Sequence, residues 1–218
     1  MKIIARIQTD FKDKFGIPRQ SGRVPSLSGR IIFEKDYQNP DALRGLDGFS
    51  HLWLIFDFSQ SHREQWSPTV RPPRLGGNRR IGVFASRSPF RPNPIGLSVV
   101  KLESIENGEL VVSGVDLLDG TPIYDIKPYL PFADAIPDAV GGYADDFEDY
   151  TLAVEFPEEL LRILPQEKRQ AAIDCLAQDP RPAYQEDERR YSMAFADWDI
   201  RFFVKQNTVH VTEIERRK

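Results

Sequence analysis

The chain has 218 residues, 40% of them hydrophobic, and a formal net charge of -4, which is enough apolar material for one large domain, or one with a smaller appendage, to close a core unaided. A single cysteine, Cys175, excludes a disulfide framework, a cysteine-rich zinc site and an iron–sulfur cluster of the radical type. His51, His62 and His210 fall at no ligand-like spacing, no run approaches about 18 apolar residues, and the Met1–Arg6 start carries no signal peptide, so a soluble, metal-free, cytoplasmic protein is expected.

Lys2–Ile7 is a short apolar run ended by polar residues and predicts a first strand. In the turn that follows, Phe15-Gly-Ile-Pro-Arg-Gln-Ser-Gly, Arg19 and Gln20 offer donors after Pro18; taken alone it reads as a surface loop. Gly29–Glu34 predicts a second strand. His51–Phe58 is the clearest: Leu52, Leu54, Phe56 and Phe58 alternate with His51, Trp53, Ile55 and Asp57. Both sets are largely apolar, which marks an interior strand and makes His51 a core histidine. Ile81–Ala85 and Ile95–Ile105 continue the pattern. Asn107-Gly108 is a type I′ hairpin signal before Glu109–Val115, and Pro122–Ile126 follows a turn at Asp119-Gly120. Short strands at this spacing predict a mainly β protein, a single-sheet antiparallel or mixed β-barrel over residues 1–150.

Composition changes after Pro137. Residues 141–150 are acidic and turn-rich. Pro157–Leu164 and Gln166–Gln178 carry helical periodicity broken at Pro165, with Cys175 on an apolar face. Trp198–Val204 and Thr208–Ile214 close the chain as a hairpin around Gln206-Asn207. Residues 151–218 are therefore expected to form a small C-terminal α+β domain.

Charge is segregated more than its total suggests. From His62 to Asn93 there are seven arginines (Arg63, Arg71, Arg74, Arg79, Arg80, Arg87, Arg91) against Glu64, a net of +6, while Asp134–Glu159 holds nine acids and no Lys or Arg. One basic face on an acidic protein suits a polyanion. Within that stretch, prolines fix φ and glycines permit φ > 0, so the backbone is shaped in detail. In Ser86-Arg-Ser-Pro-Phe-Arg-Pro-Asn-Pro, three X-Pro steps force extended backbone and would aim Arg87, Arg91 and Asn93 outward. Guanidinium forks match phosphate, which favours anion recognition over a rigid structural crossover. Downstream, in Asp119–Pro131, Asp125 and Lys127 would project to one face of an extended strand with Tyr129 close behind. A carboxylate, an ammonium and a phenol ring together can take an amino proton, hold an anionic group and stack a base. No G-x-G-x-x-G opens a helix and no Walker A sequence is present, so a nucleotide cofactor would bind in a non-Rossmann way.

The blocks GIPRQ (16–20), GLDGFSHLWLIFDF (45–58), RPPRLGGNRRIGVFASRSPFRPNPIGLS (71–98), DLLDGTPIYDIKPYLPFADAIPDA (116–139) and AQDPRPAY (177–184) resemble, in order, the TrmO family, also called TsaA-like or YaeB proteins. The resemblance implies a homodimeric β-barrel whose interface helps form the site for S-adenosylmethionine. It also implies methylation of N6 of threonylcarbamoyladenosine beside the anticodon of threonine tRNA. Carried over position by position, the cofactor contacts fall on Pro18, Arg19, Gln20, Ser59, Gln60, Arg87, Val99, Asp125, Ile126, Lys127 and Pro128; Ser59 stands where some relatives have histidine. Asp125, Tyr129 and Asn93 are the catalytic candidates. Arg71, Arg74, Arg79, Arg80, Arg91, Arg181 and Tyr184 are the RNA-binding candidates, the last two in the C-terminal block. Competing readings are a non-catalytic RNA-binding module and a methyltransferase for a different small-molecule or protein acceptor.

Overall fold

In the computed structural model, which describes residues 1–182 and 189–217, strands β1 (Ala5–Thr9), β2 (Ser28–Phe33), β3 (His51–Asp57), β6 (Ile95–Glu106), β7 (Glu109–Ser113) and β8 (Pro122–Pro128) close into a barrel. Their order is β1-β2-β7-β6-β3-β8, with β8 returning to β1, and every pairing is antiparallel. Alternation on β3 does what the sequence predicts. Leu52, Leu54 and Phe56 fill the barrel, His51, Trp53, Ile55 and Asp57 face outward half-buried, and β6 and β8 flank the strand. His51 therefore lies on the outer wall, not in the core. Closure leaves no open edge for the six strands.

The hairpin signals hold in detail. Asn107 and Gly108 have φ of 53° and 80°, and Gln206 and Asn207 have 47° and 60°, the double positive φ that a two-residue type I′ turn needs. Ile81–Ala85, expected as a strand, pairs only over β5 (Ile81–Gly82), against β4 (Thr69–Val70). From Val83 the chain tightens into a 3-10 turn, closed where Ser86 N and Oγ both donate to Val83 O. At Gly96, opposite Phe56, an added Cβ would lie 2.2 Å from the Phe56 ring. The glycine lets that ring cross the β6 backbone.

α1 (Pro131–Asp134) follows β8 directly, and the C-terminal part holds β9 (Ala153–Glu155), α2 (Glu158–Leu161), α3 (Gln166–Ala177), β10 (Tyr191–Phe195), β11 (Trp198–Lys205) and β12 (Thr208–Arg216). Its sheet runs β10-β11-β12-β9, with β9 parallel to β12. The β11–β12 hairpin and the helices α2 and α3 were legible in advance; β9, β10 and α1 are too short for a periodic signal. This sheet grips the segment that follows β1. The Phe11 and Phe195 rings meet edge to face at 5.7 Å, Phe15 stacks on Tyr191 at 6.1 Å, and Ala196 N donates to Asp10 O at 2.8 Å. Lys168 Nζ pairs with Asp10, and Arg217 Nη2 donates to Asp13 at 3.1 Å. One apolar cluster runs from barrel to sheet, so the loop at Pro18–Gln20 leaves a rigid base. Among the described residues no helix is long and apolar enough to cross a membrane.

Candidate active site on the outer wall of the barrel

Three adjacent strands carry the candidates Val99 and Asp125–Pro128. On one rung Val99 (β6), Trp53 (β3) and Lys127 (β8) are direct partners; on another, Leu97, Ile55 and Asp125 are. Strands about 4.8 Å apart place the β6 and β8 members of each rung roughly 10 Å apart, a span that suits a flat ring. The middle of this wall is apolar, with Ile55 half-buried and Ile95 and Leu97 exposed.

The β6 border is built from three loops. Arg87 Nη1 donates to Gln20 Oε1, and Ser21 Oγ accepts from Val99 N at 3.2 Å. Lys14 Nζ donates to Gln60 O at 2.8 Å and lies 3.3 Å from Ser61 Oγ, drawing Ser59 and Gln60 toward the same loop. Pro18 is buried, while the Arg87 guanidinium remains solvent-exposed. Behind this border sits Asp116, whose Oδ1 is sealed from solvent with no hydrogen-bond partner among the described residues. Burial pushes its pKa from 3.8 to about 6, against the Ser98 hydroxyl, the Ser21 amide and the Arg87 charge, which favour the ionised form.

The β8 border holds Asp125. Its Oδ2 lies 3.0 Å from Lys127 Nζ and its Oδ1 accepts from Ile126 N at 3.0 Å, so the two charged side chains share a face as the alternation requires. Tyr129 N donates to His51 O at 2.9 Å, and its ring sits 5.8 Å from Trp53 and 6.3 Å from His51. Trp53 Nε1 in turn donates to Asp134 at 2.9 Å, which fixes α1 over the end of the wall. Ile126 and Pro128 alternate with these groups and pair with Leu54 and Leu52, so their side chains lie on the barrel's inner face and not on the wall; Asn93 is exposed in the turn leading to β6.

The arginines fall into two groups. Arg71, Arg79 and Arg80 are exposed on the loop joining β4 to β5. Arg74, Arg91 and Arg181 are tied within the chain. Arg74 donates to Gln178 O at 2.9 Å and lies 4.2 Å over the Tyr150 ring; Arg91 donates to Ser86 O at 2.7 Å. Arg181 forms a fork on Asp179 at 2.8 and 3.0 Å with only 13% of its side chain exposed. Tyr150 donates to the same Asp179 at 2.8 Å, and Arg19 Nη2 reaches Arg181 O at 3.1 Å. Burial and the nearby Arg74 charge hold the Arg19 pKa below its ordinary value. Against the expectation that all three project freely, Arg74 and Arg181 lie at a joint between the C-terminal block and the loop at Pro18–Gln20, and Arg91 is held within its own turn. Tyr184 lies outside the described residues.

Two features carry no sequence signal. Asp116 looks like one more acid in a turn, and only burial singles it out. Asp57 and His62 look like a strand end and a loop residue, yet His62 Nε2 donates to Asp57 at 2.8 Å beside Tyr124.

A closed antiparallel barrel with an arginine-bearing loop and an Asp–Lys pair bordering one apolar wall defines a class: a β-barrel protein with a polar-bordered apolar outer wall, outside the dinucleotide-binding folds. Residues 6–135 match the tRNA-methyltransferase O N-terminal domain and residues 149–217 the TrmO C-terminal domain. The chain belongs to the tRNA-methyltransferase O family. It is 44% identical to the tRNA (adenine(37)-N6)-methyltransferase of Escherichia coli strain K12, covering 98% of this chain and 97% of that protein. It is also 44% identical to the putative S-adenosylmethionine-dependent methyltransferase RcsF of Pseudomonas aeruginosa, covering 97% and 95%. A crystal structure of TrmO from Pseudomonas aeruginosa superposes with a TM-score of 0.80 at 37% identity, covering 98% of this chain and 97% of the other.

Proposed function

We propose that the protein is an S-adenosylmethionine-dependent tRNA (adenine-N6)-methyltransferase whose acceptor is N6 of threonylcarbamoyladenosine beside the anticodon of threonine tRNA, acting in the cytoplasm. The observation that carries the reading is the apolar wall bordered by Gln20 and Arg87 on one side and Asp125 and Lys127 on the other. These residues fit the cofactor: an exposed guanidinium suits its carboxylate, a carboxylate its cationic groups, and the apolar rungs its adenine. When bound, S-adenosylmethionine supplies an electrophilic methyl group.

The acceptor nitrogen is part of a urea-like linkage, its lone pair is delocalised, and in-line alignment must supply much of the rate. Asp125 accepts or orients the N6 hydrogen while Lys127 steadies its other oxygen. Tyr129, braced by Trp53, stacks on the base, with Phe90 as the other ring available. Asn93 offers a donor from the Arg87–Arg91 turn. Arg71, Arg79 and Arg80 hold phosphates of the loop, whose unpaired bases can splay into an open site.

The protein acts as a homodimer in this reading. Ile95 and Leu97 on the wall, with Phe132, Ile136 and Val140 exposed by 88%, 71% and 87% beyond β8, are the apolar side chains a partner subunit would cover. Light scattering in solution should give twice the chain mass.

The deciding experiment is mass spectrometry of threonine tRNA from a deletion strain. Loss of one methyl from the threonylcarbamoyl nucleoside supports the proposal, and an unchanged spectrum sinks it. Asp125→Asn should lower single-turnover rate more than cofactor affinity; a wild-type rate removes Asp125 from the proton's path.

A further inference from the structure

The β4–β5 ribbon does something the wall does not need. Thr69 pairs with Gly82 and Val70 with Ile81, and Val83 N donates to Pro68 O at 2.9 Å. That register brings Trp66, just before the ribbon, beside Phe84, just after it. Their rings lie 6.2 Å apart at 31°, with Trp66 exposed by 50% and Phe84 by 73%. The Arg91 guanidinium is 5.8 Å from the Phe84 ring, and Arg63 lies 3.6 Å over Phe90, itself 36% exposed. At the other end of the ribbon, Arg71 directly follows β4 and Arg80 directly precedes β5. Two or three residues of strand, roughly 10 Å, separate the rings from these charges.

Rings of this size left in water forgo the burial that ordinarily draws aromatic side chains inward. A protein–protein patch usually has few charges at its centre. This one is ringed by guanidinium groups with a local excess of positive charge, a combination that matches bases against ring faces and phosphates against arginines.

We propose that Trp66 and Phe84 form a stacking platform for unpaired RNA bases flanking the modified nucleotide, with Arg71, Arg79 and Arg80 holding the adjoining phosphates. The platform rests on the RNA reading above but not on methyl transfer. It uses none of the residues assigned to the wall, so it sets how the loop is presented and not the chemistry.

The test is fluorescence anisotropy of the full chain with a labelled threonine anticodon stem–loop across a salt series, without cofactor. Trp66→Ala and Phe84→Ala should each weaken binding about 5- to 100-fold at fixed salt with the salt slope unchanged. Arg79→Ala with Arg80→Ala should instead flatten the slope by about 1.4, the value for two lost single-strand phosphate contacts. Trp66→Phe should keep most affinity and Trp66→Leu should lose it, because leucine keeps apolar area without a ring face. Aromatic variants that bind within twofold of wild type overturn the proposal. So does conversion of a dimer to a monomer by Trp66→Leu in light scattering, since the patch is then a subunit contact. Loss of stacking in a protein that leaves tRNA unmethylated would keep the platform and reject the methyl-transfer reading alone.

Discussion

Asp116→Asn is expected to make the protein more stable at neutral pH and less stable in acid. Burial raises the Asp116 pKa from 3.8 to about 6, so between those values the folded protein binds more protons than the unfolded chain. Stability from this group therefore falls as pH rises through that window, the reverse of an ion-paired aspartate. A displacement of about two units at 1.36 kcal/mol each makes the ionised side chain cost about 3 kcal/mol above pH 6. Asparagine removes that charge but places an amide donor where Asp116 Oδ1 has no partner, a loss of about 1 kcal/mol. The variant should thus gain about 2 kcal/mol at pH 7.5 and lose about 0.5 kcal/mol near pH 4, where the unfolded aspartate is already about half ionised. Urea unfolding of both proteins from pH 4 to pH 7.5 measures the crossing. A difference that stays constant across that range refutes the account. The same variant should bind S-adenosylmethionine more weakly, because the charge facing the Ser21 amide and Arg87 is gone.

Three further outcomes follow from packing. Gly96→Ala should cost about 1–3 kcal/mol in urea unfolding, since its Cβ would meet the Phe56 ring at 2.2 Å and neither strand can yield easily. Asp179→Ala should cost about 3 kcal/mol: it strands Arg181, only 13% exposed, and removes the acceptor of the Tyr150 hydroxyl. Because Arg19 is held through Arg181 O, calorimetry on that variant should also show weaker cofactor binding. Cys175 should resist thiol reagents in the native protein and react on unfolding, since burial raises its pKa well above the ordinary value.

The barrel was legible because its signals are local. Leu52, Leu54 and Phe56 alternate, Asn107-Gly108 accepts a turn few other pairs allow, and each feature spans a handful of residues. Strand ends followed the competition for hydrogen bonds instead. Ile81–Ala85 has strand composition, but Val83 O accepts from Ser86, and the chain turns. β9 is only three residues long, Glu155 among them, and gains its place from β12, far along the chain. Propensity does not register such pairings.

The candidate site was legible as residue types and not as geometry. Asp125 and Lys127 share a face because strand periodicity requires it. Arginines carry no such rule: Arg71, Arg74 and Arg91 sit in similar proline-rich surroundings, yet Arg74 and Arg91 find backbone carbonyls within the fold. Which guanidinium stays free is decided by whether a carbonyl from a distant segment lies in reach.

That distinction bears on why the C-terminal block follows the barrel. Gln178 O receives Arg74, Arg181 O receives Arg19, and Asp179 unites Arg181 with Tyr150 while holding φ at 51°. One short segment thus touches both the loop expected to hold the cofactor and the loop that bears the exposed arginines. Lys168–Asp10, Phe195–Phe11 and Arg217–Asp13 brace the base of the first loop from the same side. A site whose chemistry depends on alignment gains more from this bracing than from one extra phosphate contact, because a misplacement of about 1 Å can cost about 100-fold in rate. The positive φ at Asp179 is then part of the scaffold: a left-handed residue at the end of α3 turns the chain so that Arg181 O faces Arg19.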